Sequence, residues 1–322
     1  MPLTFTHETL EPAKKPTFYF IGVTTGSSSI RTVFPQWADA LGLGDVDLVG
    51  IDLPLHAPRD QYRTVVEFLK NDTFSLGALI TTHKIDLYNA ARDLFDEIDP
   101  LSLLMDEVSS LSKRDGRFIA HAKDPISSGY ALDAFLPAGY FSAEETDVVI
   151  FGAGGSAIAI DWYLTRPERG ADRPTKIVVT NRSAPRLETL RAVHIASDTD
   201  VPLQTVEAPA PADNDAVLAG ARPRSVVINA TGLGKDAPGS PLSDDVVFPE
   251  HAVVWDLNYR GDLVFLDQAR AAEAERSLQV EDGWVYFLHG WTQVIAEVFD
   301  IEIPTSGPVF DNLSAIASAA RA

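Results

Sequence analysis

The chain has 322 residues, 45% of them hydrophobic and 22% charged, which suits a globular protein and gives enough length for two domains. Cysteine is absent, so disulfides, thiolate metal sites, iron–sulfur clusters and a cysteine nucleophile are excluded; the cytoplasm is compatible with this usage. A formal net charge of −20 argues against non-specific binding to nucleic acid or an anionic membrane, and no apolar run approaches the ~18 residues of a membrane span.

Residues 1–16 carry no apolar core behind a basic end, so they read as a polar arm and not as a secretory signal. Apolar runs and amphipathic stretches then alternate, which is the α/β pattern. Strands are predicted at Phe18–Gly22, Val46–Ile51, Leu76–Thr81 and Phe118–Ala120, with helices between them. The clearest helical stripe joins Leu87, Ala91, Leu94 and Phe95. Further strands are predicted at Val148–Phe151, Ile177–Thr180, Val226–Asn229 and Val253–Leu257. The Pro/Ala/Asp-rich stretch Ala208–Asp215 predicts a surface loop. Two helices, Trp291–Phe299 and Val309–Ala320, end the chain. The terminal helix suits packing on its own domain or on a second copy, so a homodimer stays open.

The segment Val148 to Ala157 is the most informative stretch. A buried strand turns on Gly152, Gly154 and Gly155 directly into a helix through Ser156 and Ala157. Gly152 permits the tight turn, Gly154 lets amides approach a pyrophosphate, and small Ala157 lets helix pack on strand. The helix N-terminus adds partial positive charge for phosphates. This predicts a dinucleotide site.

The end of the next strand bears on which dinucleotide. NAD-binding sheets place a carboxylate there for the ribose hydroxyls, whereas NADP needs cations for its extra phosphate. Here Asn181-Arg182-Ser183-Ala184-Pro185-Arg186 has no acid and two guanidinium groups. NADP is favoured, although the same residues suit a helix cap with both arginines in solvent. Asn229-Ala230-Thr231-Gly232 follows a strand, where open α/β sheets bind ligands, and serves equally as a plain glycine turn.

In the first half, Thr82-His83-Lys84 opens a helix after a strand, and Asp124 follows a short strand. An ammonium paired with a carboxylate can shuttle a proton to or from a substrate oxygen, but an isolated lysine is more often surface decoration. Ser27, Ser28 and Ser29, behind Gly26, suit carboxylate binding or a helix cap. His83 and His289 read as packing or surface residues and stay outside the catalytic set. No metal is expected.

Taken in order, these segments resemble the shikimate dehydrogenase family over most of the chain. The resemblance implies carboxylate binding by Ser27 and Ser29, and a catalytic pair of Lys84 and Asp124. It implies cofactor binding by Gly152, Gly154, Gly155, Ser156 and Ala157, by Asn181, Arg182, Ser183 and Arg186, and by Ala230, Thr231, Leu257 and Gly283. Thr82, Ser109, Tyr259 and Gln293 fall on the substrate side. The implied fold is α/β with two domains and a cleft between them. Residues 1–127 with 284–322 would bind substrate, and 128–283 would form a Rossmann-type NADP-binding domain.

The chain also departs from that family. In the N-V-T-x-P-x-K segment, Ala78, Ile80 and Thr82 stand for the asparagine, threonine and proline. Ser109 replaces a substrate-binding asparagine, and Gly290 stands where the family has glutamine, with Gln293 about one helical turn later. Losing polar partners weakens recognition of ring hydroxyls. The resulting expectation is an NADP-dependent oxidoreductase acting on a cyclic hydroxy acid, shikimate or a related compound. Alternatives are a non-catalytic NADP(H)-binding sensor and a lysine-dependent two-domain dehydrogenase acting on a folate.

Overall fold

The computed structural model describes residues 4–235 and 237–320. The chain divides into two compact units, one made of residues up to 123 with those from 288 onward, the other of residues 124–287. Residues 124–127 and 284–287 thus fall with the second unit, whereas the sequence predicts them in the first. One reason is that Asp124–Phe135 is a single helix packed on the helix Gly155–Thr165. Gly129 makes that approach possible, because a Cβ there would enter the ring of Tyr163.

The first unit holds β1 (Thr4–Thr6), β2 (Thr17–Gly22), β3 (Asp47–Asp52), β4 (Ser75–Ile80), β5 (Glu97–Ile98), β6 (Ser110–Arg114) and β7 (Arg117–His121). They form one sheet in the order β1-β3-β2-β4-β6-β7-β5. β2 is buried along its whole length, as a central parallel strand with helices on both faces should be. β6 runs antiparallel to β4 and β7.

Three expectations in this unit need correction. The predicted polar arm begins with a strand instead: β1 pairs in parallel with β3 and buries Phe5, and residues 1–3 of the arm lie outside the described residues. The helical stripe is broken. Its helix, Lys84–Ala91, stops before a single 3-10 turn at Arg92–Leu94, because the chain leaves to pair as β5, where the Asp96 amide donates to Phe118 O at 2.8 Å. Phe95 still reaches the core, against Phe118. β6 is an addition to the predicted strands and forms a hairpin with β7, the strand predicted at Phe118–Ala120; the turn is Asp115-Gly116, both at positive φ (53° and 75°), as a tight two-residue hairpin turn requires.

The second unit holds β8 (Asp147–Phe151), β9 (Lys176–Asn181), β10 (Leu203–Glu207), β11 (Val226–Asn229), β12 (Val253–Asp256) and β13 (Gln279–Glu281). All pair in parallel, in the order β10-β9-β8-β11-β12-β13. Numbered from β8, this is the 3-2-1-4-5-6 order of the doubly wound Rossmann sheet. Apolar residues at both faces of β8 and β11 explain their burial.

The predicted loop 208–215 is in part a helix, Pro211–Ala219. Pro211 sits in its first turn, the Asp213 side chain accepts from the Ala210 amide at 2.9 Å, and Leu218 is buried. The helix predicted from Trp291 begins at Trp284, where Asp282 Oδ1 accepts from the Trp284 amide at 2.9 Å as a capping group. The last helix, Pro308–Ala319, packs on its own unit: Leu313 and Ala317 are buried, and Trp37 Nε1 donates to Leu313 O at 2.8 Å. Among the described residues no helix is long and apolar enough to cross a membrane.

Candidate active site

In the second unit the chain leaves β8 through Gly152, at φ +97°. A Cβ at this position would lie 2.8 Å from the Ala230 carbonyl oxygen, so the corner closes onto the loop after β11 only because the residue is glycine. Gly154 precedes the helix Gly155–Thr165, and the space in front of its Cα is open. The amides of a first helical turn lack partners within the helix and are donors that an anion can use. Ala157 is wholly buried, consistent with the close packing expected of a small residue there.

β9 ends at Asn181, whose Nδ2 donates to Ser183 O at 3.0 Å and shapes the turn into the helix Ala184–Ala196. Ser183 occupies the N-cap without a side-chain capping bond. Arg182 is exposed and Arg186 lies at the start of the same helix. Among the described residues neither forms an ion pair, so both guanidinium groups remain available to an added anion.

The loops after β11 and β12 are held by side-chain amides. Asn229 Oδ1 accepts from the Thr231 amide at 3.1 Å and from Thr231 Oγ1 at 2.6 Å, and Asn229 Nδ2 donates to Asp256 Oδ1 at 3.2 Å. Asp256 Oδ1 also accepts from the Asn258 amide at 2.8 Å, and Asn258 Nδ2 donates to Leu233 O at 3.1 Å. Burial raises the Asp256 carboxyl to about 6, against the hydrogen bonds from Asn258 and Asn229 that favour its charged form. Ala230 and Thr231 are thereby set beside the glycine corner, and Leu257 is tied to the end of β11 by its amide, which donates to Asn229 O at 3.1 Å. Gly283 follows, its amide bonded to Asn258 O at 3.0 Å, where any Cβ would collide with the Leu257 carbonyl. Nothing in the sequence singles out Asp256 and Asn258 for this bracing, since it depends on burial and on partners from another strand. Tyr259 packs against Trp284 and Phe287, with ring centroids 5.3 and 4.9 Å away.

Asp124 opens the helix Asp124–Phe135 and is 6% exposed. Tyr286 Oη donates to its Oδ2 at 3.0 Å, and the same hydroxyl lies 3.3 Å from Ser156 Oγ in the turn after the glycine corner. Tyr286 is not among the residues predicted for the site, and nothing in its local sequence marks it.

In the first unit, adjacent strands β2 and β4 are parallel, so their carboxyl ends deliver two segments to one edge of the sheet. Ser27 ends the 3-10 turn Thr25–Ser27, with Oγ donating to Thr24 O at 3.2 Å, and Ser29 caps the next helix without a side-chain bond. Thr25 is fixed by Asp52, which accepts from its amide and hydroxyl at 2.8 and 2.6 Å. After β4, Thr82 is exposed and Lys84 is the first residue of the helix Lys84–Ala91. Buried His83 anchors the head of that helix: its Nδ1 meets Tyr62 Oη at 3.0 Å and its Nε2 meets Leu53 O at 3.1 Å. Desolvation lowers its pKa, in keeping with a neutral packing role.

Ser109 is buried beside β4. Its hydroxyl accepts from the Lys123 amide at 2.6 Å, and its carbonyl accepts from the Ile80 amide at 2.9 Å. Gln293 is half-buried on the helix Trp284–Phe299. His289 is buried and stacked on Phe310, centroids 4.6 Å apart, and desolvation lowers it to about 4.

The fold and these residues define a two-unit α/β protein whose second unit is a Rossmann-type sheet with a glycine corner. No protein-family model matches the chain. It is 30% identical over 182 residues to "Shikimate dehydrogenase (NADP(+))" of Streptococcus thermophilus, covering 56% of this chain and 59% of that protein. With the Methylocella silvestris protein of the same name, identity is 28% over 291 residues, or 89% of this chain and 91% of that one. The chain thus spans about three fifths of the first curated relatives' length, and nearly all of the Methylocella protein. The crystal structure of shikimate dehydrogenase from Aquifex aeolicus superposes with a TM-score of 0.70 at 18% identity, covering 94% of this chain and 99% of the other. In sequence and in fold the chain is thus similar to shikimate dehydrogenases.

Proposed function

We propose that this protein is an NADP-dependent oxidoreductase that reversibly reduces a ring ketone of a cyclic hydroxy acid, with 3-dehydroshikimate and shikimate as the reference pair. The observation that carries the reading is the second unit's carboxyl-end edge. An open helix N-terminus behind Gly152 and Gly154 stands with Arg182 and Arg186, and no carboxylate ends β9. These residues fit NADP: the corner leaves room for the pyrophosphate, and the two guanidinium groups suit the 2′-phosphate. The names of the curated relatives support the same cofactor.

Bound NADPH supplies the hydride. The chain's own residues do the rest. Lys84 Nζ holds the proton that goes to the substrate oxygen on reduction and takes it back on oxidation. Asp124 bears the balancing negative charge. Ser27 and Ser29 bind the carboxylate, each by hydroxyl donation. Thr82, Tyr259 and Gln293 line the substrate. Ser109, whose hydroxyl is committed to the Lys123 amide, recognises ring hydroxyls less well than the asparagine it replaces, so the substrate is a relative of shikimate at least as readily as shikimate itself.

The experiment is a panel of shikimate, quinate and amino-substituted analogues incubated with NADP, following the nicotinamide absorbance. Turnover of any one supports the assignment. NADP binding with no turnover across the panel leaves a non-catalytic binding protein and removes the assignment.

A further inference from the structure

Three helix beginnings meet within the second unit. Asp124 starts the helix Asp124–Phe135, Ser156 lies in the first turn of the helix Gly155–Thr165, and Tyr286 lies in the first turn of the helix Trp284–Phe299. Tyr286 spans them: its hydroxyl donates to Asp124 Oδ2 at 3.0 Å and stands 3.3 Å from Ser156 Oγ. The tyrosine ring is itself held, edge-on to the fully buried Trp255 with centroids 5.9 Å apart. The helices carrying Asp124 and Ser156 pack closely through Gly129 and Tyr163. None of the three polar groups is therefore on a loose loop.

We infer that Tyr286 is a positioning residue that couples the glycine corner to Asp124. This rests on the assignment of Asp124 and Ser156 in the proposed function. A phenol donating to one carboxylate oxygen fixes that carboxylate's rotation, which decides where its second oxygen points. Reacting groups need that precision, since misplacement by about 1 Å costs roughly 100-fold in rate. The same phenol shares its oxygen with Ser156, a residue that an incoming pyrophosphate would approach. A hydrogen-bond chain of this kind polarises along its length, so a new acceptor at Ser156 alters what Tyr286 gives to Asp124. Occupancy of the corner is thereby transmitted to the carboxylate without movement of either helix.

The test uses the full chain with aspartate labelled at its side-chain carboxyl carbon (Cγ), the Asp124 resonance being assigned from Asp124→Asn. Saturating NADPH should move that resonance in the wild type, and much less in Tyr286→Phe, which keeps the ring against Trp255. Ser156→Ala probes the chain from its other end and should blunt the response likewise. Turnover should follow: Tyr286→Phe lowers kcat roughly 10–100-fold and displaces its pH profile, while KM for the acid stays within about twofold. In the Ser156→Ala background the same substitution should lose less. A wild-type resonance that ignores NADPH, an undiminished response in Tyr286→Phe, or an unchanged kcat and pH profile would each overturn the inference. Absence of turnover in the wild type removes the functional assignment alone, and the resonance measurement then still decides on Tyr286.

Discussion

Asn229 Nδ2 donates to Asp256 Oδ1 at 3.2 Å, adding a side-chain bond to the backbone pairing at the carboxyl ends of two neighbouring parallel strands. Both residues are wholly buried, and the bond sits where the backbone ladder stops. Asn229 passes the constraint to Thr231 and Asp256 passes it to Asn258, so two loops share one brace. Removing Asp256 as an acceptor, in Asp256→Leu, strands buried donors and should cost about 1–3 kcal/mol, measured by chemical denaturation.

The same carboxyl gives a pH signature. Burial raises Asp256 from 3.8 to about 6, so the folded chain holds this proton more tightly than the unfolded one. The stabilisation is complete below the ordinary value and is lost as pH rises through about 6. Its size is on the order of 2–3 kcal/mol. Asp256→Asn keeps the shape without the titration, so its stability should vary less than that of the wild type between about pH 4 and 7. Thermal denaturation across that range reads the difference.

A second titrating pair lies between the helix of the glycine corner and the one after it. His194 Nδ1 meets Asp161 Oδ2 at 2.9 Å and its Nε2 meets Val201 O at 3.0 Å, all in a buried setting. Burial pulls His194 down, but the hydrogen bond and charge of Asp161 more than offset it, and the net direction is up. This stability is fully present below the ordinary histidine value and falls as pH rises through the raised one. Asp161→Ala leaves the imidazole without its partner and should destabilise the protein by about 3–5 kcal/mol. Denaturant unfolding should also show a weaker loss of stability in that variant as pH rises past the ordinary histidine value.

Cofactor preference is expected to reside in Arg182 and Arg186. Each charge-assisted contact is worth about 1.5–3 kcal/mol, so either alanine variant should weaken NADP binding roughly 10- to 100-fold. NAD binding should change little, since it lacks the phosphate. Titration calorimetry with both dinucleotides separates the effects; equal losses for NAD and NADP would assign the arginines to the fold.

Much of the architecture is legible from the residues, and the exceptions have physical reasons. The strand before Gly152 is a continuous apolar run, and buried parallel strands announce themselves that way. The turn residues Asn181 to Arg186 carry their chemistry in local order, so their position at a strand end follows. Of the β6–β7 hairpin only β7 is legible; β6 escapes a reading by pattern, although Asp115-Gly116 is a strong turn signal, because Ser110–Arg114 is too polar to read as a strand. Pro211–Ala219 has the composition of a loop, while its helix is set by a proline start, the Asp213 cap and one buried leucine. β1 is unreadable because three residues form a strand only when β3 offers an edge.

The candidate site divides in the same way. Groups placed by neighbouring residues, such as Gly152 and Lys84, are visible in the sequence. Tyr286 meets Asp124 from 162 positions along the chain, and only folding brings that pair together. Asp256 looks like one more strand-end residue until burial and the donors of Asn229 and Asn258 give it a bracing role.

The most direct measurement of the proposed chemistry is the kcat of Lys84→Ala against the wild type, with NADP and the best acid from the panel, alongside NADPH affinity by fluorescence. The expected result is a fall in kcat of about two to four orders of magnitude, the size of a lost general acid–base group, with NADPH affinity retained. Turnover equal to the wild type would contradict proton transfer by Lys84 and with it the proposed mechanism.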